Sequence, residues 1–123
     1  MGALAERMGM TLVECTPERV VISMPVAGNT QPFGLLHGGA NAALAETAGS
    51  IGAAIHAGPG KAVVGLDITC THHRSARDGH VTAVATPLAL GRTVTSYDIR
   101  ISDEEGRLLC SSRLTCLIRD AKP

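Results

Sequence analysis

The sequence predicts an α+β fold in which one long helix covers an antiparallel β-sheet. Residues 38–56 are rich in Ala, which favours a helix. Residues 62–118 then show several strand-like runs with turn residues between them. An antiparallel sheet needs one covered face, and a single long helix can supply that cover. We expect residues 1–123 to form one domain, since the chain is of ordinary domain length and 45% hydrophobic.

The elements before the long helix follow from local composition. Residues 1–9 are expected to form a short helix, and "RVVISMPV" at residues 19–26 is expected to form the first strand. "AGNTQPFG" at residues 27–34 is predicted to be a loop because Gly and Pro interrupt it. The long helix should then end at "GPG", residues 58–60.

The region after the helix predicts an antiparallel meander. Asp78-Gly79 is a typical hairpin turn, Gly91 allows a second turn, and "SDEEG" at residues 102–106 supplies a third. The four strands of this meander are expected at residues 62–72, 81–90, 93–101 and 108–118. Alternation in the first of them predicts one shared inward face for Val64, Leu66, Ile68 and Cys70.

Composition excludes several classes of function. Eleven basic residues balance eleven acidic ones, and only one Phe and one Tyr are present, so no nucleic-acid partner is expected. No apolar run reaches 18 residues, so we expect no membrane partner either. The first ten residues do not resemble a signal peptide, and a cytoplasmic location is therefore expected. Four cysteines without a CxxC pair predict buried thiols, not a metal site.

The long helix carries a single charged residue, Glu46, in an otherwise small and apolar stretch. On a helical wheel Leu44, Ile51 and Ile55 lie opposite Glu46 and are expected to face the core. The face around Glu46 is lined by small residues: Gly39, Ala42, Ala43, Gly49, Ser50 and Ala53. An ordinary solvent face carries many charges, so this one suggests a contact with a ligand or another chain. The alternative is that Glu46 is an exposed residue on a weakly polar helix.

The start of the helix offers hydrogen-bond donors. Gly38 and Gly39 have backbone N–H groups without side-chain cover, and a helix N-terminus suits a developing oxyanion. Gln31 and His37 lie just before it and could donate hydrogen bonds too. Gly38 and Glu46 are eight residues apart, about 12 Å along a helix. If both groups act on one carbonyl, Glu46 must come from a second subunit, so we expect a homodimer with shared active sites or a higher oligomer.

At this point "QPFGLLHGGANAALAETAGS" (residues 31–50) resembles the hot-dog-fold acyl-CoA thioesterases. The resemblance is to the PaaI-like group that includes 1,4-dihydroxy-2-naphthoyl-CoA thioesterase and the enterobactin-pathway proofreading thioesterase. "VVGLDITCTHHRSARDG" (residues 63–79) and "GRLLCSSRLT" (residues 106–115) resemble the same group. The resemblance covers residues 20–118 and implies a sheet wrapped around one long central helix.

The resemblance also implies an activity, the hydrolysis of acyl-CoA or acyl-carrier-protein thioesters. Among these substrates it favours aryl-CoA. Glu46 matches the catalytic carboxylate, as nucleophile or as base for water, and Gly38 matches the backbone donor to the thioester carbonyl. Gln31 and His37 match polar side chains near that carbonyl, and Ser50 matches the serine one turn after the carboxylate. The residues expected to bind substrate or CoA are Gly39, Gly65, His72, Arg74, Ser75, Gly91, Arg92 and Thr93. No cofactor is implied, because CoA is part of the substrate, and a homotetramer built from dimers is expected.

Two alternatives remain open on the sequence. A hot-dog dehydratase or isomerase would place an acid and a base against the α and β carbons of the substrate. A non-catalytic acyl-CoA-binding protein would keep its affinity without Glu46. Product analysis separates the first alternative, because hydrolysis yields a free acid and a thiol whereas dehydration yields an enoyl thioester.

Overall fold

The computed structural model describes residues 1–122, which form two helices and six strands. The short helix α1 and the long helix α2 span Ala3–Arg7 and Gly38–Ala57. The strands are β1 (Thr11–Thr16), β2 (Arg19–Pro25), β3 (Lys61–His72), β4 (His80–Leu90), β5 (Val94–Ser102) and β6 (Leu108–Asp120). Both predicted helices are confirmed, and β1 is a strand that the sequence analysis missed.

The six strands form one antiparallel sheet in the order β1-β2-β4-β5-β6-β3. Helix α2 contacts all six strands, so the sheet wraps around it. The core lies between them, and its largest fully buried side chains include Tyr97, Ile22, Met24 and Leu44. This is the α+β arrangement of a central helix wrapped by a sheet that the sequence predicted.

The predicted meander of four strands is wrong in one respect. Strands β4, β5 and β6 do form a meander, but β3 pairs with β6 at the far edge and not with β4. Asp78-Gly79 is therefore no hairpin turn between neighbouring strands. It lies in the connection from β3 to β4, where the Gly79 carbonyl accepts a hydrogen bond from the Val26 N–H (2.9 Å).

A β-bulge between Gly65 and Asp67 changes which side chains of β3 face inward. Val63, Ile68 and Cys70 pack against the core. Val64 and Leu66, which were expected to share the inward face with Ile68 and Cys70, are instead 40% and 58% exposed. The extra residue of a bulge shifts the alternation by one position, so the simple period-two prediction fails across it.

Helix α2 lies very close to the sheet, because glycines face it. A Cβ atom on Gly49 would stand 2.7 Å from Leu114 Cδ2, and one on Gly52 would stand 2.7 Å from the Cζ and Oη atoms of Tyr97. Small side chains therefore supply much of the buried face, whose members are Ala40, Asn41, Leu44, Ala45, Ala48, Gly49, Gly52 and Ala53.

This packing corrects the helical-wheel prediction on both faces. Leu44 is buried as expected, but Ile51 is only partly buried and Ile55 is 40% exposed. Gly49 and Ala53, which were placed on the face open to a ligand or another chain, are buried in the structure. Within residues 1–122, no helix is both long and apolar enough to cross a membrane.

Candidate active site

The N-terminus of α2 presents one free backbone donor. His37 is the N-cap residue, and its Nδ1 accepts a hydrogen bond from the Gly39 N–H (2.8 Å). The Gly39 donor is therefore occupied, as is usual for one of the first N–H groups of a capped helix. The Gly38 N–H has no acceptor among residues 1–122. Of the two predicted glycine donors, Gly38 is the one that remains available to a ligand.

Gln31 is held by the loop that precedes the helix. Its Oε1 accepts hydrogen bonds from the backbone N–H groups of Phe33 (2.5 Å) and Leu35 (3.3 Å). An amide side chain has one acceptor oxygen and two N–H donors. Because the oxygen is used inside the loop, the amide nitrogen of Gln31 is the part left to bind a ligand, and it can only donate.

Five of the predicted site residues line one cavity of about 370 Å³ beside the helix start, which we call the helix-start cavity. They are Gln31, Gly38, His72, Arg74 and Ser75. The cavity is also lined by Asn41, a residue that the sequence analysis did not single out. His73, next to His72, also lines this cavity, and its Nε2 forms a hydrogen bond with the Ser111 hydroxyl (2.9 Å).

Glu46 lies in the middle of α2 with its side chain exposed. Its carboxylate lies against the backbone of Gly65, so that a Cβ atom on Gly65 would stand 2.6 Å from Oε2. Gly65 adjoins the bulge of β3. Its missing side chain thus leaves the space that the Glu46 carboxylate occupies, a role that its sequence position did not reveal.

A second, larger groove of about 560 Å³ runs along the exposed face of α2, and we call it the carboxylate groove. Glu46, Thr47 and Ser50 supply its polar groups. Its apolar lining consists of Met1, Leu4, Ala43, Ile51, Ala54 and Val63. The groove can therefore hold an apolar group beside a carboxylate, with part of one wall formed by α1.

A buried thiol lies beneath this groove. Cys116 is fully buried in β6 and contacts the hydroxyls of Ser50 and Thr95. Burial raises the pKa of the Cys116 thiol, the two hydroxyls oppose that rise, and the charge of Glu46 adds to it. Because burial keeps the Cys116 thiol protonated, it is no candidate nucleophile.

The predicted site residues form two separate sets within one chain. Gly38 lines the helix-start cavity, whereas Glu46 lines the carboxylate groove, about 12 Å further along the helix. The turn at residues 91–93 is also remote from His72. Its Thr93 carbonyl accepts from Ile118 N–H (2.7 Å), while His72 pairs with Cys110, about 26 Å away along β6.

The turn at residues 91–93 is fixed to the end of α2. His56 Nε2 lies 2.8 Å from the Gly91 carbonyl oxygen, and the two form a hydrogen bond in which the ring N–H donates. The sequence did not predict this contact, because His56 and Gly91 are 35 positions apart. Gly91, Arg92 and Thr93 are therefore held at the C-terminal end of α2, away from Gly38.

Within residues 1–122, no group of three or more His, Cys, Asp or Glu side chains is placed to hold a metal ion. The chemistry that the site offers is that of a free backbone donor, an amide donor, imidazoles and one exposed carboxylate. Together these suit polarisation of a carbonyl and attack on it, provided that the two sets meet.

Comparison with known proteins gives one consistent result. Residues 33–110 match the sequence profile of the family described as Thioesterase superfamily. The chain is 49% identical over 117 residues to the putative esterase ComA2 of Bacillus subtilis, covering 94% of this chain and 93% of that protein. It is 44% identical over 119 residues to the proofreading thioesterase EntH of Cronobacter sakazakii, covering 96% and 87%. Among solved structures, a thioesterase from Haemophilus influenzae superposes with a TM-score of 0.92 at 42% identity, covering 96% of this chain and 83% of that one.

Proposed function

Because this chain belongs to the thioesterase superfamily and is a thioester hydrolase of the hot-dog fold, we propose that it hydrolyses acyl-CoA or acyl-carrier-protein thioesters with Glu46 as the catalytic carboxylate. The observation that carries the proposal is the exposed carboxylate of Glu46 in a groove whose lining is otherwise mostly small or apolar. Such a groove holds the acyl group while the carboxylate faces its carbonyl carbon. A cytoplasmic location remains an expectation from the sequence.

The reaction needs an oxyanion donor and an activated nucleophile on the same carbonyl. The Gly38 N–H donates to the carbonyl oxygen, where negative charge develops, and the Gln31 amide supplies a second donor. Glu46 either attacks the carbonyl carbon or takes a proton from water that attacks it. The C–S bond then breaks, and the thiolate leaves and takes up a proton. Where water attacks, this step yields the free acid; where Glu46 attacks, it leaves a mixed anhydride on Glu46, which water must hydrolyse to release the acid.

The distance between the two sets supports a shared site. Since Gly38 and Glu46 of one chain are about 12 Å apart, the partner subunit's Gly38 must face this chain's Glu46. Strand β3 supports the same arrangement, because it is a 12-residue edge strand with exposed Val64 and Leu66. An edge strand has unpaired N–H and C=O groups that can pair with a second copy. Antiparallel pairing of two β3 strands would run the two long helices in opposite directions, and two such dimers would form the homotetramer.

Arg74 and Ser75 are proposed to bind the phosphates and pantetheine of CoA at the rim of the helix-start cavity. A guanidinium can bind phosphate through two hydrogen bonds. In a shared site, Arg92 would approach from the other subunit, because within one chain its turn lies at the C-terminal end of α2, whereas Arg74 lies at the helix start. Arg92 and Arg74 would then act on one ligand although they are remote within one chain.

The carboxylate groove supports an aromatic acyl group as the first choice. Leu4, Ile51 and Val63 give it apolar walls, and its volume of about 560 Å³ is ample for one or two rings. A short aliphatic chain would fit too. The proofreading thioesterase among the relatives supports a thioester substrate, and its name does not specify the acyl group.

The activity is tested by thiol release from a panel of aryl and aliphatic acyl-CoAs and acyl-carrier proteins. Replacement of Glu46 by Gln should lower kcat/KM at least about 100-fold. Glu14→Gln is the matched control, because that exposed carboxylate forms only a surface ion pair with Arg19. Equal rates in the Glu46→Gln and wild-type proteins would contradict the proposal, and an enoyl thioester product would favour the dehydratase.

The shared site is tested by mixing two inactive proteins. In a heterodimer of Glu46→Gln and Gln31→Ala subunits, one of the two sites contains both wild-type residues. Random exchange of subunits should therefore restore about a quarter of the wild-type activity. No recovery after proven exchange would show that each site lies within one chain.

A further inference from the structure

Asn41 is a polar residue in an Ala-rich helix, and it is buried with an exposure of only 4%. It lies three residues after Gly38 and lines the helix-start cavity. Its Nδ2 lies 3.4 Å from Nδ1 of His72, and its Oδ1 has no hydrogen-bond partner among residues 1–122. A buried amide with so few partners is costly, and an alanine at this position would suit the helix better. The contact with His72 is the feature that sets this residue apart from its neighbours.

The orientation of the amide follows from a count of its partners. With Nδ2 towards His72, one amide N–H is bonded, and the second N–H and the carbonyl oxygen are left without a partner. With the amide turned over, both N–H groups would be left unpaired in a buried position. A buried N–H without a partner is rarer and less tolerated than an under-satisfied C=O. The Asn41 amide therefore donates, and Nδ1 of His72 accepts.

The other face of the His72 ring lies against Gly38. A Cβ atom on Gly38 would stand 3.1 Å from His72 Nε2 and 3.3 Å from Cε1. The imidazole thus occupies the space that a side chain at position 38 would take. From backbone geometry, Nε2 lies within about 6 Å of the Gly38 nitrogen. An acceptor lies about 3 Å from each donor nitrogen, so this separation allows one ligand atom to accept from both groups.

We propose that Asn41 is a positioning residue that fixes neutral His72 as an Nε2–H donor beside the free N–H of Gly38. A neutral imidazole has one donor and one acceptor nitrogen, and a hydrogen bond to one of them decides the role of the other. Because Nδ1 accepts from Asn41, Nε2 carries the proton. The role of this donor rests on the proposed thioesterase function: the Nε2–H group of His72 donates a hydrogen bond to the thioester carbonyl oxygen. Asn41 acts through His72 and needs no contact with the substrate.

The proton position can be measured without any activity. Long-range ¹⁵N–¹H NMR spectra of the full-length protein, with ¹⁵N-labelled histidine, report which ring nitrogen of each neutral imidazole carries the proton. The His72 signals are assigned by their loss in His72→Ala. We expect the Nε2–H form in the wild type, a mixture of both forms in Asn41→Leu, and the Nδ1–H form in Asn41→Asp, whose carboxylate can only accept. Leucine has the same branching as asparagine but no polar atoms, and the Asn41→Asp protein provides a second test if the first variant fails to fold.

Kinetics then test the role. Asn41→Leu should lower kcat by about tenfold and leave KM nearly unchanged, since the lost donor acts in the transition state. In the His72→Ala background the same substitution should have almost no effect, because the residue through which it acts is gone.

Two results would overturn the inference: an Nδ1–H form or an even mixture in the wild type, or equal losses from Asn41→Leu in both backgrounds. If the wild-type spectrum shows the Nε2–H form but no thioester is hydrolysed, the proposed substrate class fails while the tautomer assignment stands.

Discussion

Replacement of Gly65 by Ala should damage catalysis without damaging the fold. The new methyl group would stand 2.6 Å from Oε2 of Glu46, whereas an ordinary contact of this kind begins at 3.4 Å. The carboxylate must therefore move by about 0.8 Å. Glu46 is exposed, so its side chain can move at little cost in stability. Glycine within a strand is itself unfavourable, and the substitution should stabilise the protein by about 0.5 to 1 kcal/mol.

The loss of activity follows from the size of this displacement. A misplacement of about 1 Å at a reacting group can cost about 100-fold in rate. We therefore expect kcat/KM of Gly65→Ala to fall by about 30- to 100-fold while the Tm stays the same or rises. Thr69→Ala on the same strand is the control, because Thr69 lines a different cavity, away from Glu46.

A double-mutant cycle tests the cause. Glu46→Asp draws the carboxylate back by one carbon–carbon bond, about 1.5 Å, which is more than the required shift. In this background Gly65→Ala should cost less than about threefold in kcat/KM, although Glu46→Asp alone lowers the rate. Equal losses in both backgrounds, or no loss in the wild-type background, would refute the assigned contact between Gly65 and the carboxylate.

Three further predictions concern groups away from the substrate. Burial raises the pKa of Tyr97 to about 12, so the absorbance titration of this single tyrosine should show ionisation well above its ordinary pKa of 10.0. The folded state should lose stability as the pH rises beyond 10, because the tyrosine of the unfolded chain ionises first. Burial and the neighbouring Cys70 thiol raise the pKa of Cys110 to about 12. Iodoacetamide at pH 8 should therefore modify the exposed Cys15 and leave Cys110 unmodified until the chain unfolds, and peptide mass mapping would show this difference. Burial opposes ionisation of Asp103, but hydrogen bonds from Arg107 outweigh it and hold the pKa of Asp103 below its ordinary value of 3.8. Asp103→Asn should therefore lower the Tm at pH 7, and the difference in Tm from the wild type should shrink as the pH falls below 3.8.

Local sequence signals predicted the helices and most of the strands. The long helix was expected from residue 38 to residue 56 and is observed as Gly38–Ala57, since a glycine pair and "GPG" mark its two ends. Strand β1 was missed because all six of its residues are exposed, so no buried face gives it an alternating pattern.

Strand order was not predictable in the same way. Consecutive strands usually pair, and Asp78-Gly79 looks like the turn that would join β3 to β4. The structure instead places β3 beside β6. This choice depends on how the sheet closes around the helix, which is a property of the whole chain. The bulge at Gly65 likewise depends on the contact with Glu46 and has no local signature beyond the glycine itself.

Some functional residues could likewise be predicted from local sequence, whereas others depend on contacts between distant parts of the chain. The spacing of Gly38 and Glu46 already predicted a site shared by two subunits, because helix geometry fixes the distance between them. Asn41 gave no such signal, since one polar residue in an Ala-rich helix has no spacing to interpret. Its burial and its contact with His72 appear only when β3 is placed beside the helix start.

The glycines of α2 and β3 have a common physical role. Each glycine inside a helix costs about 1 kcal/mol relative to alanine, so its presence needs a compensating contact. Gly38 leaves room for the His72 ring, Gly49 for Leu114 and Gly52 for Tyr97, while Gly65 leaves room for the Glu46 carboxylate.

In each of these pairs one partner lies on α2 and the other on the sheet, and the missing side chain lets the two approach closely. The same closeness places the carboxylate against β3 and the imidazole against the helix start. Helix–sheet packing and the geometry of the site are therefore set by the same contacts. A substitution at one of these glycines should cost stability according to how far its neighbour can move. We expect little cost at Gly65, where the neighbour is the flexible end of Glu46, and the largest cost at Gly52, where the neighbour is the fully buried ring of Tyr97.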